Sequence, residues 1–241
     1  MRLHAAGLAL LLLTIHPAPA SAEAPLDDAA VSARLAFVES VLAREESSTI
    51  TWRDGWLGAF SGLALLQVAL GANTTDIAVR GTAIVGGTKS LLAAASILVI
   101  PSTAVTVSSA LLGAPARTPS ERRARLTLAE SLLSRIAREE RFRRSWMPLV
   151  AGAFLNLGGA TVMWAGYHRA FSGWFGLGSG LVVGQLYYQT QPTGAVTAWA
   201  AYTKARAEGA APPIAALAPK APGIRWSLAP GAGGLVLRGS F

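Results

Sequence analysis

Few side chains in this sequence carry chemistry. Three histidines occur, His4, His16 and His168, and the first two lie in an N-terminal segment with the layout of a targeting signal. That leaves His168 beside Arg169. One imidazole is too few for the usual zinc site and too few for a relay between paired proton carriers. A Ser-His-acid site would need His168 to meet an acid such as Asp76 from far along the chain, and no nucleophile-elbow sequence supplies the serine. Cysteine is absent, which removes disulfides, thiolate metal ligands and thiol nucleophiles together.

Asp54, Asp76, Arg80 and Lys89 are the remaining candidates, as an ion path. Asp54, Asp76 and Arg80 flank apolar runs, and Lys89 is read as close enough to a span end for its ammonium to reach the headgroup layer. The chain is therefore read as a non-enzyme: no catalytic, cofactor-binding or metal-binding residue is assigned, and no cofactor is expected.

Composition points to a membrane. Of the 241 residues 52% are hydrophobic and only 14% charged, and the mean hydropathy is +0.42, more apolar than a soluble core requires. The start has Arg2, an apolar run from Ala5 to Ile15, Pro17 and Pro19, and then Ala20-Ser21-Ala22, the layout of a secretory signal cut before Glu23. The formal charge is +8, with the basic residues beside apolar segments and no nucleic-acid-binding motif. Anionic headgroups are the expected counterpart and nucleic acid is excluded as a partner.

The elements that position these residues occur twice. Ala43-Arg44-Glu45-Glu46, Trp52 and Gly58-Ala59-Phe60 recur as Ala137-Arg138-Glu139-Glu140, Trp146 and Gly152-Ala153-Phe154. Upstream, Arg34-Leu35 and Glu39-Ser40 answer to Arg125-Leu126 and Glu130-Ser131. Downstream, Pro101-Ser102-Thr103-Ala104-Val105 answers to Pro192-Thr193-Gly194-Ala195-Val196. Each copy opens with an amphipathic helix. In the first, Val31, Leu35, Val38, Val41 and Leu42 follow helical spacing, with Arg34, Glu39, Ser40, Arg44 and Glu45 largely off that stripe; the second, from Ser120 to Arg144, repeats the design with Leu126, Ala129, Leu132, Leu133 and Ile136.

No Asp, Glu, Lys or Arg occurs between Asp54 and Asp76, nor between Arg144 and Arg169, and each gap has room for the roughly 20 residues of a bilayer-spanning helix. A second apolar stretch follows in each copy, 81–112 interrupted by Lys89, and 170–203 without charge. Pro101 and Pro192 fall inside these stretches and are assigned as helix breaks, because proline lacks a backbone donor and crowds the preceding turn. Ser172, Gly176, Gly180 and Gly184 recur every fourth residue and, with Gly58 and Gly62, are assigned as a helix-packing face resembling a glycine zipper.

The expected fold is an all-α membrane protein of two tandem copies, each an amphipathic helix plus a two-span helical hairpin, with a short C-terminal β-hairpin-like tail. Residues 1–22 are assigned to the signal peptide, 23–113 to the first repeat, 114–206 to the second, and 207–241 to a Pro/Ala-rich linker and tail. An even span number per copy gives both copies one orientation. The expected role is structural or assembly work in a bacterial-type cell envelope, in the inner membrane, with the lipid bilayer and a homo-oligomer as partners. The rival expectation is a small transporter or pore with its passage at Pro101 and Pro192, lined by Ser102, Thr103, Gln189, Thr190, Gln191 and Thr193. A cleaved signal would put the arginine-rich segment between the copies outside the cytoplasm, against the positive-inside tendency.

Overall fold

The computed structural model describes residues 27–100, 102–210, 225–231 and 234–240. The signal-peptide assignment, Pro101 and most of the Pro/Ala-rich linker lie outside them. The described chain is almost entirely helical. Its first helix, α1 (Asp28–Ala72), runs 45 residues from an N-cap at Asp27, whose carboxylate accepts from the Ala30 N–H. The amphipathic helix and the first apolar run are thus one rod, since no proline or glycine interrupts Glu46 to Trp52.

The corresponding junction in the second half is broken. α4 (Pro119–Arg143) starts on a capping box of Thr118 and Glu121 with proline in its first turn, and ends before Ser145, the N-cap of α5 (Trp146–Thr161). Pro148 is the physical cause, because it has no N–H to return to the Arg144 carbonyl. That carbonyl instead accepts the Tyr188 hydroxyl at 2.8 Å.

Between these lie α2 (Ile77–Val99), a 3-10 turn at Thr103–Thr106 and α3 (Val107–Leu112). After α5 a π-helical stretch, Val162–Gly166, leads into α6 (Ala170–Gln189). α6 ends three residues before Pro192, and α7 (Gly194–Ala207) begins two residues after it. In the tail, β1 (Arg225–Gly231) pairs antiparallel with β2 (Gly234–Ser240).

Two regions of opposite character follow from the packing. The N-terminal half of α1, α3, α4 and α7 bury Val31, Leu35, Val38, Leu42, Val107, Leu133, Ile136 and Tyr202 against one another, forming a headpiece with a conventional core. The amphipathic stripes read from the sequence thus cover each other. Arg34 and Glu45, assigned to the polar face, are buried at 6% and 4% exposure. The headpiece has a third wall, α7, which touches both α1 and α4, so more than one stripe of each helix is covered.

The other region is two helical hairpins hanging from the headpiece: the C-terminal half of α1 with α2, and α5 with α6. Here the large apolar side chains point outward. Leu65, Ile77, Val99, Phe154, Trp174 and Phe175 are each more than half exposed. Three helices are long and apolar enough to cross a membrane, namely α1, α2 and α5 with its π-helical extension, 146–166. α6 is as long as a span and carries no charged residue, but its glycines and glutamines make it less apolar.

Candidate functional site

The hairpins meet at both ends, and along the middle α2 packs on α5 where Val85 and Lys89 lie against Gly159. At the headpiece end, the indole N–H groups of Trp52 and Trp56 both donate to Thr190 Oγ1, at 3.2 and 3.0 Å, and the Tyr187 ring packs tilted or edge-on against Trp52, Trp56 and Phe60. At the far end, the Tyr167 ring packs on Gly81 so closely that a Cβ there would come within 2.6 Å of it. Between these contacts lies a cleft of about 1630 Å³, lined largely by apolar side chains including Phe60, Leu63, Ile97, Leu155 and Val183.

Lys89 sits near the middle of α2, not near an end as read from the sequence. Its half-buried ammonium reaches across the cleft to the Gly176 carbonyl at 3.1 Å, and its stem packs beside Gly159. A cation at that depth is held by a backbone dipole rather than by a carboxylate. At the headpiece end the cleft is basic: Arg53, Arg138 and Arg143 line it. Arg53 pairs with Asp54 at 3.0 Å and Arg143 donates to Ser102 Oγ at 3.2 Å. Glu139, the carboxylate in the same lining, is committed elsewhere, accepting from the Thr103 N–H at 2.9 Å, from the Thr103 hydroxyl and from Arg135 at 3.3 Å.

Behind this end lies a buried carboxyl pair, Glu45 from α1 and Glu140 from α4. The two buried side chains lie close enough to shift each other's titration, and Glu140 Oε2 accepts the Val196 N–H at the start of α7 at 3.0 Å. Burial, then the charge of Glu45, push the Glu140 carboxyl up to about 8; burial also raises Glu45. Gly194 lets Glu45 come this close, since a Cβ there would collide with Glu45 Oε1.

The other candidates from the sequence are placed apart. His168 is exposed in the turn before α6, with a left-handed φ of 52°, unusual for a residue with a side chain. Asp76 caps α2 through the Ala78 and Val79 N–H groups, and Arg80 donates to the Thr74 carbonyl at 2.8 Å. Among the described residues no acid is in bonding contact with His168, and no three His, Cys, Asp or Glu side chains gather as a metal site would require.

A Cβ on Gly58, Gly62, Gly176 or Gly184 would meet nothing within 4 Å, but Gly176 and Gly184 line the cleft, as does the partly exposed Ser172. Gly180 alone of that stripe is occupied, by the Asn156 side chain of α5. The tightest glycine approach to backbone in this hairpin is Gly173, off the stripe, whose Cβ would lie 2.9 Å from the Ala160 carbonyl oxygen. Of the polar residues offered as a passage lining, Ser102, Thr103 and Thr190 are engaged in joining helices, and Pro192 lies in the turn between α6 and α7.

Sequence reasoning missed the Glu45–Glu140 pair, although both residues stand in the repeated Ala-Arg-Glu-Glu block. The available signal was that repetition of an acidic pair inside an otherwise ordinary helix. No protein-family model, curated protein or solved structure matches the chain.

Proposed function

We propose that the protein is an integral membrane protein of the cell envelope with a structural or assembly role. In this reading the hairpins α1–α2 and α5–α6 are embedded in the bilayer and the headpiece sits at one surface. The observation that carries it is the division of the molecule: apolar side chains are buried in the headpiece and exposed on the hairpins, the distribution that lipid rather than water favours. Trp52, Trp56 and Trp146 lie where hairpins and headpiece join, and Trp164 and Tyr167 near the opposite end, depths at which amphipathic rings prefer the headgroup layer. Helical spans suit an inner membrane better than an outer one, where closed barrels prevail.

Duplication fits the same reading. Leu35 and Leu126, Val38 and Ala129, Leu42 and Leu133, Ala104 and Ala195, and Val107 and Ala198 are related by one constant shift in sequence, and all lie in one core. Contacts also cross between the halves: Arg125 pairs with Glu39 at 2.6 Å and Arg122 with Asp28. The headpiece then clamps two hairpins of like orientation. Transport is the weaker reading, because Ser102, Thr103 and Thr190, three of the six residues that would line its passage, are bound to neighbouring helices, although Gln191 does line the cleft.

Alkaline carbonate extraction tests the proposal. Retention in the pellet is expected, since whole helices are buried in lipid. Quantitative release would sink it and leave a peripheral assembly that uses its apolar hairpins between subunits.

A further inference from the structure

We infer that the cleft between the hairpins holds a single phospholipid with an anionic headgroup, its phosphate at Arg138 and Arg143 and its acyl chains along Phe60, Leu63 and Ile97. The inference rests on the membrane reading above. At about 1630 Å³, the cleft exceeds the roughly 300–1,000 Å³ typical of small-molecule sites, and its walls are apolar along the hairpins and basic at the headpiece end. That sequence of surfaces, apolar then cationic, is the complement of an acyl chain ending in a phosphate.

Charge selects the headgroup. Arg53, Arg138 and Arg143 line the mouth together with one carboxylate, Glu139, which is already committed to Thr103 and Arg135. Asp54 offsets Arg53. Arg138 is exposed and makes no hydrogen bond or ion pair among the described residues, although it stands beside Glu139 in the chain. A guanidinium presents a planar fork of donors that matches two phosphate oxygens. A zwitterionic lipid would bring its own cation to the same place and lose much of that attraction. Lys89 lies about 15 Å deeper along α2 and donates a hydrogen bond to the Gly176 carbonyl, so it belongs to the level of the acyl chains.

The test uses the full chain in mild detergent, incubated with phosphatidylglycerol and phosphatidylcholine in equal amounts and read by native mass spectrometry. One phosphatidylglycerol per chain is expected in preference to phosphatidylcholine. Arg138→Gln is expected to lower that preference about fivefold, the effect of one basic side chain at an anionic lipid surface. Arg123→Gln removes the same charge from an exposed site outside the cleft and is expected to leave the preference unchanged. Equal retention of the two lipids, an unchanged preference in Arg138→Gln, or an equal loss in Arg123→Gln would each overturn the inference, as would a second copy of the chain in place of lipid. A chain that stays in the carbonate pellet but shows no preference defeats only the lipid site; a chain released by carbonate defeats the membrane reading as well.

Discussion

Glu45 and Glu140 bring their carboxyl groups together inside the headpiece, and neither Glu45 Oε2 nor Glu140 Oε1 has a hydrogen-bond partner among the described residues. A proton held between them would satisfy both atoms. Two ionised carboxylates at that distance would repel in a region from which water is excluded. Arg44 and Arg143 lie near enough to lower the pair somewhat, but burial outweighs them.

Headpiece stability should therefore depend on pH. Glu140 is raised from its ordinary 4.5 to about 8, so the folded form holds a proton that the unfolded chain releases. The contribution is fully present below about pH 4.5 and is lost as pH rises toward about 8, by about 1 kcal/mol per pH unit. Thermal unfolding in mild detergent, followed by tryptophan fluorescence between pH 5 and 8, should show the midpoint falling with pH. Glu140→Gln keeps an acceptor for Val196 and a donor for Glu45, and should flatten that slope. An unchanged slope would mean that the pair does not share a proton.

Glu139 and Glu46 each hold the turn of helix that follows α2, with unequal effect. Glu139 takes both the N–H and the hydroxyl of Thr103 in a partly buried place, whereas Glu46 meets Ser108 at the surface, with its N–H at 3.4 Å. Glu139→Ala should cost about 1 kcal/mol or more, because a partly buried N–H and hydroxyl lose a charged acceptor. Glu46→Ala should stay within about 0.5 kcal/mol. Denaturant midpoints of the two variants decide the order.

The glycine stripe of α6 divides into positions with and without a neighbour. Gly180→Leu would drive a side chain into Asn156, which is buried and donates to the Gly152 carbonyl at 2.9 Å, and should lower the thermal midpoint of the chain itself. Gly176 and Gly184 line the cleft, but Gly58 and Gly62 on α1, assigned to the same packing face, lie outside it, and Gly58→Leu and Gly62→Leu place a Cβ that meets nothing within 4 Å. These two variants should spare that midpoint and instead reduce the oligomer seen by light scattering in mild detergent, the outcome for a face that packs on a second copy. Unchanged size in both variants would argue against such a face.

The hairpin reading makes a simple prediction of topology. Thr127 on α4 and Thr75 between α1 and α2 are exposed at opposite ends of the molecule. Thr127→Cys and Thr75→Cys should therefore react with an impermeant thiol reagent from opposite sides of the membrane, against no background from native cysteine. Labelling of both from one side would contradict α1 as a span.

Local physics alone determined much of this protein. The charge-free runs 55–75 and 145–168 and the break at Pro192 act within a few residues of themselves, so helix content and room for spans were legible from the chain. The caps at Asp76 and Thr118 and the break at Pro148 are equally local signals that the sequence reading passed over. What each helix face meets is not local. Arg34 and Glu45 carry the same charges in a surface helix or a buried one, and only the arrival of α4 and α7 buries them. Lys89 is equally a snorkelling or a mid-depth cation until α2 acquires a length and α6 offers Gly176 to bond. Gly176 and Gly180 are alike in sequence, and only the position of Asn156 on α5 makes one enclosed and the other open. The cleft, its basic mouth and the Glu45–Glu140 pair arise where helices far apart in the chain converge, and no window of sequence short enough to read by periodicity contains both sides of such a contact.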